Sequence, residues 1–133
     1  MKTAEQFVTT QKLAWAFSAM FVGIVVFSPV AGAFDSRGMV LGLFENSLYA
    51  DSIHLGSAAW AAAAAWRSER AARLYFQLFG SYYTADATLY FLFGLPKYDF
   101  LTNLALNLPH FIIGPIALWI GFVLSKKLKA WDA

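Results

Sequence analysis

The stretch Asn107-Leu108-Pro109-His110-Phe111-Ile112-Ile113-Gly114 opens a long apolar run near the end of the chain. A weaker copy, Asp51-Ser52-Ile53-His54-Leu55-Gly56-Ser57-Ala58, opens an earlier run. Both follow the pattern [Asn/Asp]-x-x-His-x-x-x-[Gly/Ala], and they contain the only two histidines of the protein. A polar residue three positions before a histidine lies on the same helix face, so the two side chains can share a hydrogen bond or a ligand.

The composition favours a lipid bilayer as the solvent of this chain. Of the 133 residues, 59% are hydrophobic and 14% are charged, against roughly 25% charged residues in an average soluble domain. Too little polar side chain remains to cover the outside of a small soluble core. The net charge of +2 is small and the basic residues flank the apolar runs, which is typical of membrane topology signals rather than of a nucleic-acid surface. The absence of cysteine excludes disulfides, thiolate chemistry and iron–sulfur ligation.

We predict an all-α polytopic membrane protein, a single domain over residues 1–133 with four transmembrane helices in a bundle. The apolar runs place these helices at about residues 11–34, 46–66, 71–94 and 102–124. A run of about 20 residues covers a hydrocarbon core about 30 Å thick. The two histidine motifs predict a pair of hairpin repeats that share one orientation, and Pro109 and Pro115 are expected to bend the last helix.

The basic residues predict the orientation. Those on one side of the predicted membrane are Lys2, Lys12, Arg67, Arg70, Arg73, Lys126, Lys127 and Lys129. The other side has only Arg37 and Lys97. The positive-inside rule therefore predicts a bacterial cytoplasmic (inner) membrane protein with both termini in the cytoplasm. The segment Arg67-Ser68-Glu69-Arg70 is interpreted as a tight charged turn on that side.

A polar cluster is predicted in the outer half of the membrane. His54 and His110 each lie eight residues into their helices, about 12 Å deep at 1.5 Å per residue, and Asp86 reaches the same level from the opposite direction. An ionisable group at that depth costs several kcal/mol unless it finds a partner in the interior, so we expect Asp86 to point inward. The predicted buried polar network comprises Asn46, Asp51, His54, Tyr82, Asp86, Tyr90, Asn103, Asn107 and His110.

Three interpretations of this cluster remain open. It can be a structural network, in which His54 bonds Asp51 and His110 bonds Asn107. It can bind a cofactor, with the two histidines as axial ligands of a haem or other tetrapyrrole, or with Asp86 in a two-histidine-one-carboxylate metal site. It can also form a proton or small-solute pathway. Because no phosphate loop, nucleophile triad or dense carboxylate pair is present, no catalytic residue is assigned and no enzyme is predicted.

From Asn46 to Gly121 the chain resembles a family of small, uncharacterised four-span bacterial membrane proteins. That family repeats Asn-x-x-His-x-x-x-Gly at the start of helices two and four and opens helix three with a segment similar to Ala72-Arg73-Leu74-Tyr75. The architecture is also similar to that of DoxX-like four-helix proteins, some of which associate with redox enzymes. The chain departs from the pattern at Asp51 and Ala58, which replace the first Asn and Gly, and at Asp86, which has no counterpart in it. The resemblance implies the four-helix fold and a membrane location.

The expected function is that of a non-enzymatic accessory or scaffold subunit. We expect it to pack against a larger membrane complex, such as an energy-converting or redox complex, or against copies of itself, because it is small and its surface is rich in aromatic residues. The expected partners are therefore the lipid bilayer and other membrane subunits, and no nucleic acid. The alternatives are a haem-, tetrapyrrole- or metal-binding electron-transfer subunit using His54 and His110, and a small-solute or proton pathway.

Overall fold

The fold is helical. The computed structural model describes residues 8–30, 39–40, 44–45 and 48–128. Its four long helices are α1 (Thr10–Val30), α2 (Leu48–Arg67), α3 (Glu69–Gly94) and α4 (Phe100–Trp119). A π-helical turn over Ile120–Leu124 and the short α5 (Ser125–Lys127) extend α4. The four helices confirm the predicted helical class, whereas the predicted end of the first helix at about residue 34 and the predicted start of the second at about residue 46 lie outside the described residues.

A minimal strand pair lies between α1 and α2. Met39–Val40 (β1) runs antiparallel to Phe44–Glu45 (β2), with Met39 opposite Glu45 and Val40 opposite Phe44. Two residues per strand cannot bury a hydrophobic face of their own. The pair is therefore a local feature of the connection and leaves the helical character of the fold unchanged.

Within the described residues, two helices are long and apolar enough to cross a membrane. They are Thr10–Phe27, with a mean hydropathy of 1.5, and the 28-residue segment Phe100–Lys127, with a mean hydropathy of 1.8. The other two long helices are more polar: α2 includes Asp51 and His54 in its first half, and α3 begins with Glu69 and Arg70. The composition of the helices thus separates α1 and α4 from α2 and α3.

Helices α1 and α2 form an antiparallel hairpin whose register is fixed by contacts along its length. The Gln11 side-chain amide donates to the carbonyl of Ala65 at 2.8 Å, and the Ser18 hydroxyl donates to the carbonyl of Ala58 at 2.9 Å. Small buried residues make this close approach of the two backbones feasible, as is common between membrane helices. On α2 they are Ala58, Ala61, Ala64 and Ala65.

Helices α3 and α4 pack even more closely, through glycines. A Cβ atom at Gly80 would lie 2.6 Å from the backbone nitrogen of Leu118, and one at Gly121 would lie 2.7 Å from the backbone nitrogen of Gln77. Neither position has room for a side chain, so glycine allows the two backbones to touch. Helix α3 also contacts α1 and α2, which places it between α4 and the α1–α2 hairpin.

The π-helical turn at the end of α4 serves this α3–α4 contact. The Ser125 N–H group bonds the carbonyl of Ile120, five residues back, and so bypasses the carbonyl of Gly121. That carbonyl instead accepts the Gln77 side-chain amide at 3.0 Å and the Ser125 hydroxyl at 2.9 Å. The helix continues through Pro109 and Pro115, each of which lacks the N–H group for one backbone hydrogen bond, and it becomes π-helical over Ile120–Leu124.

Candidate functional site: a four-ring layer around His54 and His110

Each of the four long helices contributes one ring to a layer in the protein interior. The His54 ring of α2 stacks on Phe21 of α1, with ring centroids 5.7 Å apart. Phe21 packs edge-on against Tyr83 of α3 at 6.3 Å, and Tyr83 stacks on His110 of α4 at 4.3 Å. The two histidines, 56 positions apart in sequence, therefore lie at opposite ends of one set of four rings, called the four-ring layer below.

Helical periodicity explains why these rings meet. Tyr75, Phe79 and Tyr83 follow one another at four-residue spacing and stack along the buried face of α3, with centroids 5.2 and 4.8 Å apart. Phe17 and Phe21 have the same spacing on α1 and contact this stripe, Phe21 lying 5.5 Å from Phe79. The four-ring layer is the end of this longer aromatic core.

The two imidazoles occupy an apolar environment. Within the described part of the chain, the Nδ1 atoms of His54 and His110 are both buried and neither has a hydrogen-bond partner. A buried polar atom without a partner costs about 1–3 kcal/mol. The arrangement is one of packed rings rather than of a hydrogen-bonded relay.

The asparagines of α4 lie in the interior, as predicted, and they bond to α3 and to each other. The Asn103 side-chain amide donates to the carbonyl of Phe91 on α3 at 2.7 Å. The Asn107 amide donates to the backbone carbonyl of Asn103 at 2.9 Å and to its side-chain oxygen at 3.2 Å. This pair fixes the first turns of α4 against α3, and the donor groups of Asn107 face Asn103 rather than His110.

Two of the predicted network residues are on the surface. Tyr82 is 59% exposed and Tyr90 is 56% exposed, so the prediction that they belong to a buried network is wrong. The buried stripe of α3 passes through Phe79 and Tyr83 instead. One position corresponds to about 100° of rotation on a helix with 3.6 residues per turn, so a stripe displaced by one residue faces a different direction.

Asp86 lies at the edge of the interior rather than inside it. Its side chain is half-buried, between the buried stripe and the exposed tyrosines Tyr82 and Tyr90. Asp51 is also half-buried and lies one turn before the buried His54 on α2. Asn46 lies outside the described residues. Of the predicted network, the buried members are therefore His54, Asn103 and Asn107, with Asp51, Asp86 and His110 half-buried around them.

The predicted cofactor sites do not fit this geometry. Across residues 51–128 and the rest of the described chain, no three His, Cys, Asp or Glu side chains approach one another closely enough to hold a metal ion. The two-histidine-one-carboxylate site with Asp86 is therefore not formed. A tetrapyrrole between the two imidazoles would have to displace Phe21 and Tyr83, which fill that space with ring contacts of 4.3–6.3 Å.

Two features of the site were not predicted from the sequence. Phe21 and Tyr83 were not assigned to it, although the spacings Phe17/Phe21 and Phe79/Tyr83 are visible in the sequence. The spacing alone did not distinguish them from the exposed aromatic residues, which recur at similar intervals on the same helices. Which of two overlapping stripes is buried depends on how the helices rotate against their neighbours.

Comparison of the chain with protein-family models, with curated proteins and with solved structures found no match. The resemblance to small four-span membrane proteins therefore stays a prediction, based on the two histidine motifs and the opening of α3.

Proposed function

We propose that the chain is an integral membrane subunit whose four helices all span the bilayer, and that it assembles through one face of α3 with another membrane protein or with a second copy. The observation that supports assembly is the half-exposed carboxylate of Asp86, on a helix face with the exposed Tyr82 and Tyr90. A carboxylate that faces hydrocarbon is costly and normally finds a protein partner.

The distribution of polar and apolar groups supports membrane insertion. Large apolar side chains are exposed on every long helix, including Phe27 on α1, Leu55 on α2, Phe93 on α3 and Leu101 on α4, which is 74% exposed. The interior also contains a few polar side chains, such as Asn103, beside its mainly apolar core. Large exposed apolar side chains on all four helices are typical of a surface that faces lipid or another protein. This surface also supports spanning by α2 and α3, whose average composition is more polar.

The basic residues support the proposed orientation. Glu69 and Ala65 contact the start of α1, and Gln77 contacts the end of α4, so the basic ends of all four helices lie at one end of the molecule. The described basic residues at this end are Lys12, Arg67, Arg70, Arg73, Lys126 and Lys127. By the positive-inside rule, this charge distribution supports a cytoplasmic location for this end.

The aromatic core favours a scaffold role over a pathway for protons or solutes. Phe21, Phe76 and Phe79 are almost completely buried, and the Phe17 ring contacts all three, with centroid distances of 4.9–6.4 Å. A continuous wet path between the helices would have to displace these rings. The face of α3 around Asp86 is the place where a half-buried carboxyl group lies beside exposed aromatic side chains.

Assembly can be tested on the purified protein in a mild detergent by native mass spectrometry and multi-angle light scattering. We expect an assembly larger than one chain, either a homo-oligomer or a complex with a co-purified membrane protein. Asp86→Leu should convert it to a monomer. Thr88→Ala is the matched control, because Thr88 is exposed on the same helix and its hydroxyl donates to the Thr84 carbonyl of that helix. A wild-type monomer, or equal assembly in Asp86→Leu and the control, would refute the proposed role of this face.

A further inference from the structure

A groove between α2 and α3 opens on the surface near the basic end of the molecule. Its volume is about 270 Å³, slightly below the 300–1,000 Å³ typical of small-molecule pockets. Alanines Ala63, Ala64 and Ala71 create it, because their short side chains leave space between the two helices. The surrounding walls are apolar side chains, including Leu74 and Leu78 of α3.

Aromatic rings define the floor and one wall of the groove. Tyr75 lines it and is completely buried, so its ring cannot move away without disturbing the core. The Trp60 ring packs edge-on against Tyr75, with ring centroids 4.9 Å apart. The packed core therefore fixes the floor of the groove, and exposed side chains such as Leu74 and Leu78 form its sides.

The groove has a charged end and an apolar end. Arg67 lines it at the last residue of α2, and Trp60 lines it seven residues earlier, which corresponds to about 10 Å along the helix. Arg70 is exposed in the first turn of α3, just beyond Arg67. The acidic neighbour Glu69 is turned away, since both of its carboxylate oxygens accept backbone N–H groups of α1. The charged end is therefore positive.

We propose that this groove binds an anionic phospholipid of the cytoplasmic leaflet, with its phosphate at Arg67 and one acyl chain along the alanines towards Trp60. This inference rests on the proposed membrane location and orientation. Charge complementarity selects the ligand: a basic group beside an apolar cleft at the cytoplasmic end of membrane helices matches a negative headgroup joined to an acyl chain. The guanidinium can bind a phosphate through two parallel hydrogen bonds.

The test is native mass spectrometry of the purified protein with dioleoyl phosphatidylglycerol or dioleoyl phosphatidylcholine added from mixed micelles. The two lipids share their acyl chains and differ in headgroup charge. We expect at least a tenfold preference for the first bound phosphatidylglycerol over phosphatidylcholine in the wild-type chain. Arg67→Ala should reduce this preference to less than twofold, whereas the control Lys127→Ala, an exposed basic residue outside the groove, should keep it.

A second pair of variants tests the apolar part of the groove. Ala63→Leu fills it from an exposed position and should reduce binding of both lipids at least fivefold without unfolding the chain. Ala59→Leu is the control, because Ala59 is exposed on the same helix and does not line the groove. Equal binding of the two lipids by the wild type, or equal effects of variant and control in either pair, would overturn the proposal. A change of oligomeric state in Ala63→Leu without loss of lipid would assign the groove to a second copy and also overturn it.

The membrane location is tested separately by resistance of the protein to extraction from membranes with alkaline carbonate. Extraction into the soluble fraction would refute the proposed function and the lipid site together. Retention in the membrane without a headgroup preference would refute the lipid site alone.

Discussion

The Oε2 atom of Glu69 accepts a hydrogen bond of 2.9 Å from the backbone N–H group of Thr10, which lies 59 positions earlier in the chain. The Oε1 atom accepts a second bond of 2.9 Å, from the N–H group of Gln11. Glu69, the first residue of α3, thereby caps the start of α1, where the helix dipole favours a negative charge. The residue assigned to a charged turn from the sequence is 3% exposed and joins the starts of α1 and α3 at the basic end of the molecule.

Removing this carboxylate should destabilise the fold. We expect Glu69→Ala to lower the free energy of unfolding by about 2–4 kcal/mol, because two N–H groups lose their acceptor and each buried unpaired group costs about 1–3 kcal/mol. Arg70→Ala, at the exposed adjacent position, should change it by less than about 0.5 kcal/mol. Reversible denaturation in detergent micelles, followed by tryptophan fluorescence, measures both. Equal stability of the two variants would contradict the capping role.

The glycine contact between α3 and α4 should respond to a single methyl group. Gly80→Ala would place a Cβ atom 2.6 Å from the backbone nitrogen of Leu118. We expect this overpacking to lower the free energy of unfolding by about 1–3 kcal/mol. The control is Gly56→Ala, which should change the free energy of unfolding in the opposite direction. A Cβ atom at Gly56 meets nothing within 4 Å, so the gain in helix propensity should stabilise the chain by about 0.5–1 kcal/mol. Thermal unfolding of both variants tests this sign difference, which a loosely packed α3–α4 pair would not show.

The start of α4 should be sensitive to acid through Asp99. The backbone N–H group of Thr102, followed by the Thr102 hydroxyl, lowers the pKa of the exposed Asp99 carboxyl below its ordinary value of 3.8 by donating hydrogen bonds to it. A lowered folded-state pKa means that the stabilisation is fully present above pH 3.8 and is lost as the pH falls through the folded-state value. NMR titration of the Thr102 amide should show this transition below pH 3.8. Asn is also a good capping residue, so Asp99→Asn should keep the cap and abolish the pH-dependent shift of the Thr102 amide signal. If the Thr102 amide still titrates in this variant, Asp99 is not the source of the shift.

The positions of the helices could be predicted from the sequence, whereas the face of each helix that is buried could not. Apolar runs between Gly-, Pro- and charge-rich segments located all four helices, because the length and composition of a run are local properties. The choice between the stripe through Tyr82 and the stripe through Tyr83 depends on helix rotation, which is set by neighbours distant in sequence such as Gly114 and Phe21. The role of Glu69 was missed for the same reason, since its partners lie on α1.

Adjacent tyrosines on α3 provide a direct test of that rotation. Tyr83 is buried in the four-ring layer, so Tyr83→Ala should cost about 3–5 kcal/mol through loss of a large core ring. Tyr82→Ala at the exposed neighbouring position should cost less than about 0.5 kcal/mol in a monomeric detergent-solubilised chain. Denaturation of the two variants under identical conditions measures the difference. The reverse order of effects would show that α3 is rotated by one residue from the orientation described here.

The four-ring layer itself distinguishes a packing role from a cofactor role at His54. The imidazole stacks on Phe21 at an interplanar angle of 19°, and its buried Nδ1 atom has no hydrogen-bond partner among the described residues. A phenyl ring preserves the stacking and removes the unpartnered nitrogen, and exchanging a buried polar group for an apolar one of similar shape is often nearly neutral or stabilising. We therefore expect the free energy of unfolding of His54→Phe to stay within about 1 kcal/mol of the wild-type value. The variant should assemble normally, and the wild-type protein should show no Soret band. His54→Asp is the destabilising comparison, because it replaces the ring with a smaller ionisable group in the same apolar site. A Soret band or a stoichiometric metal that disappears in His54→Phe would refute the packing role and restore the cofactor interpretation.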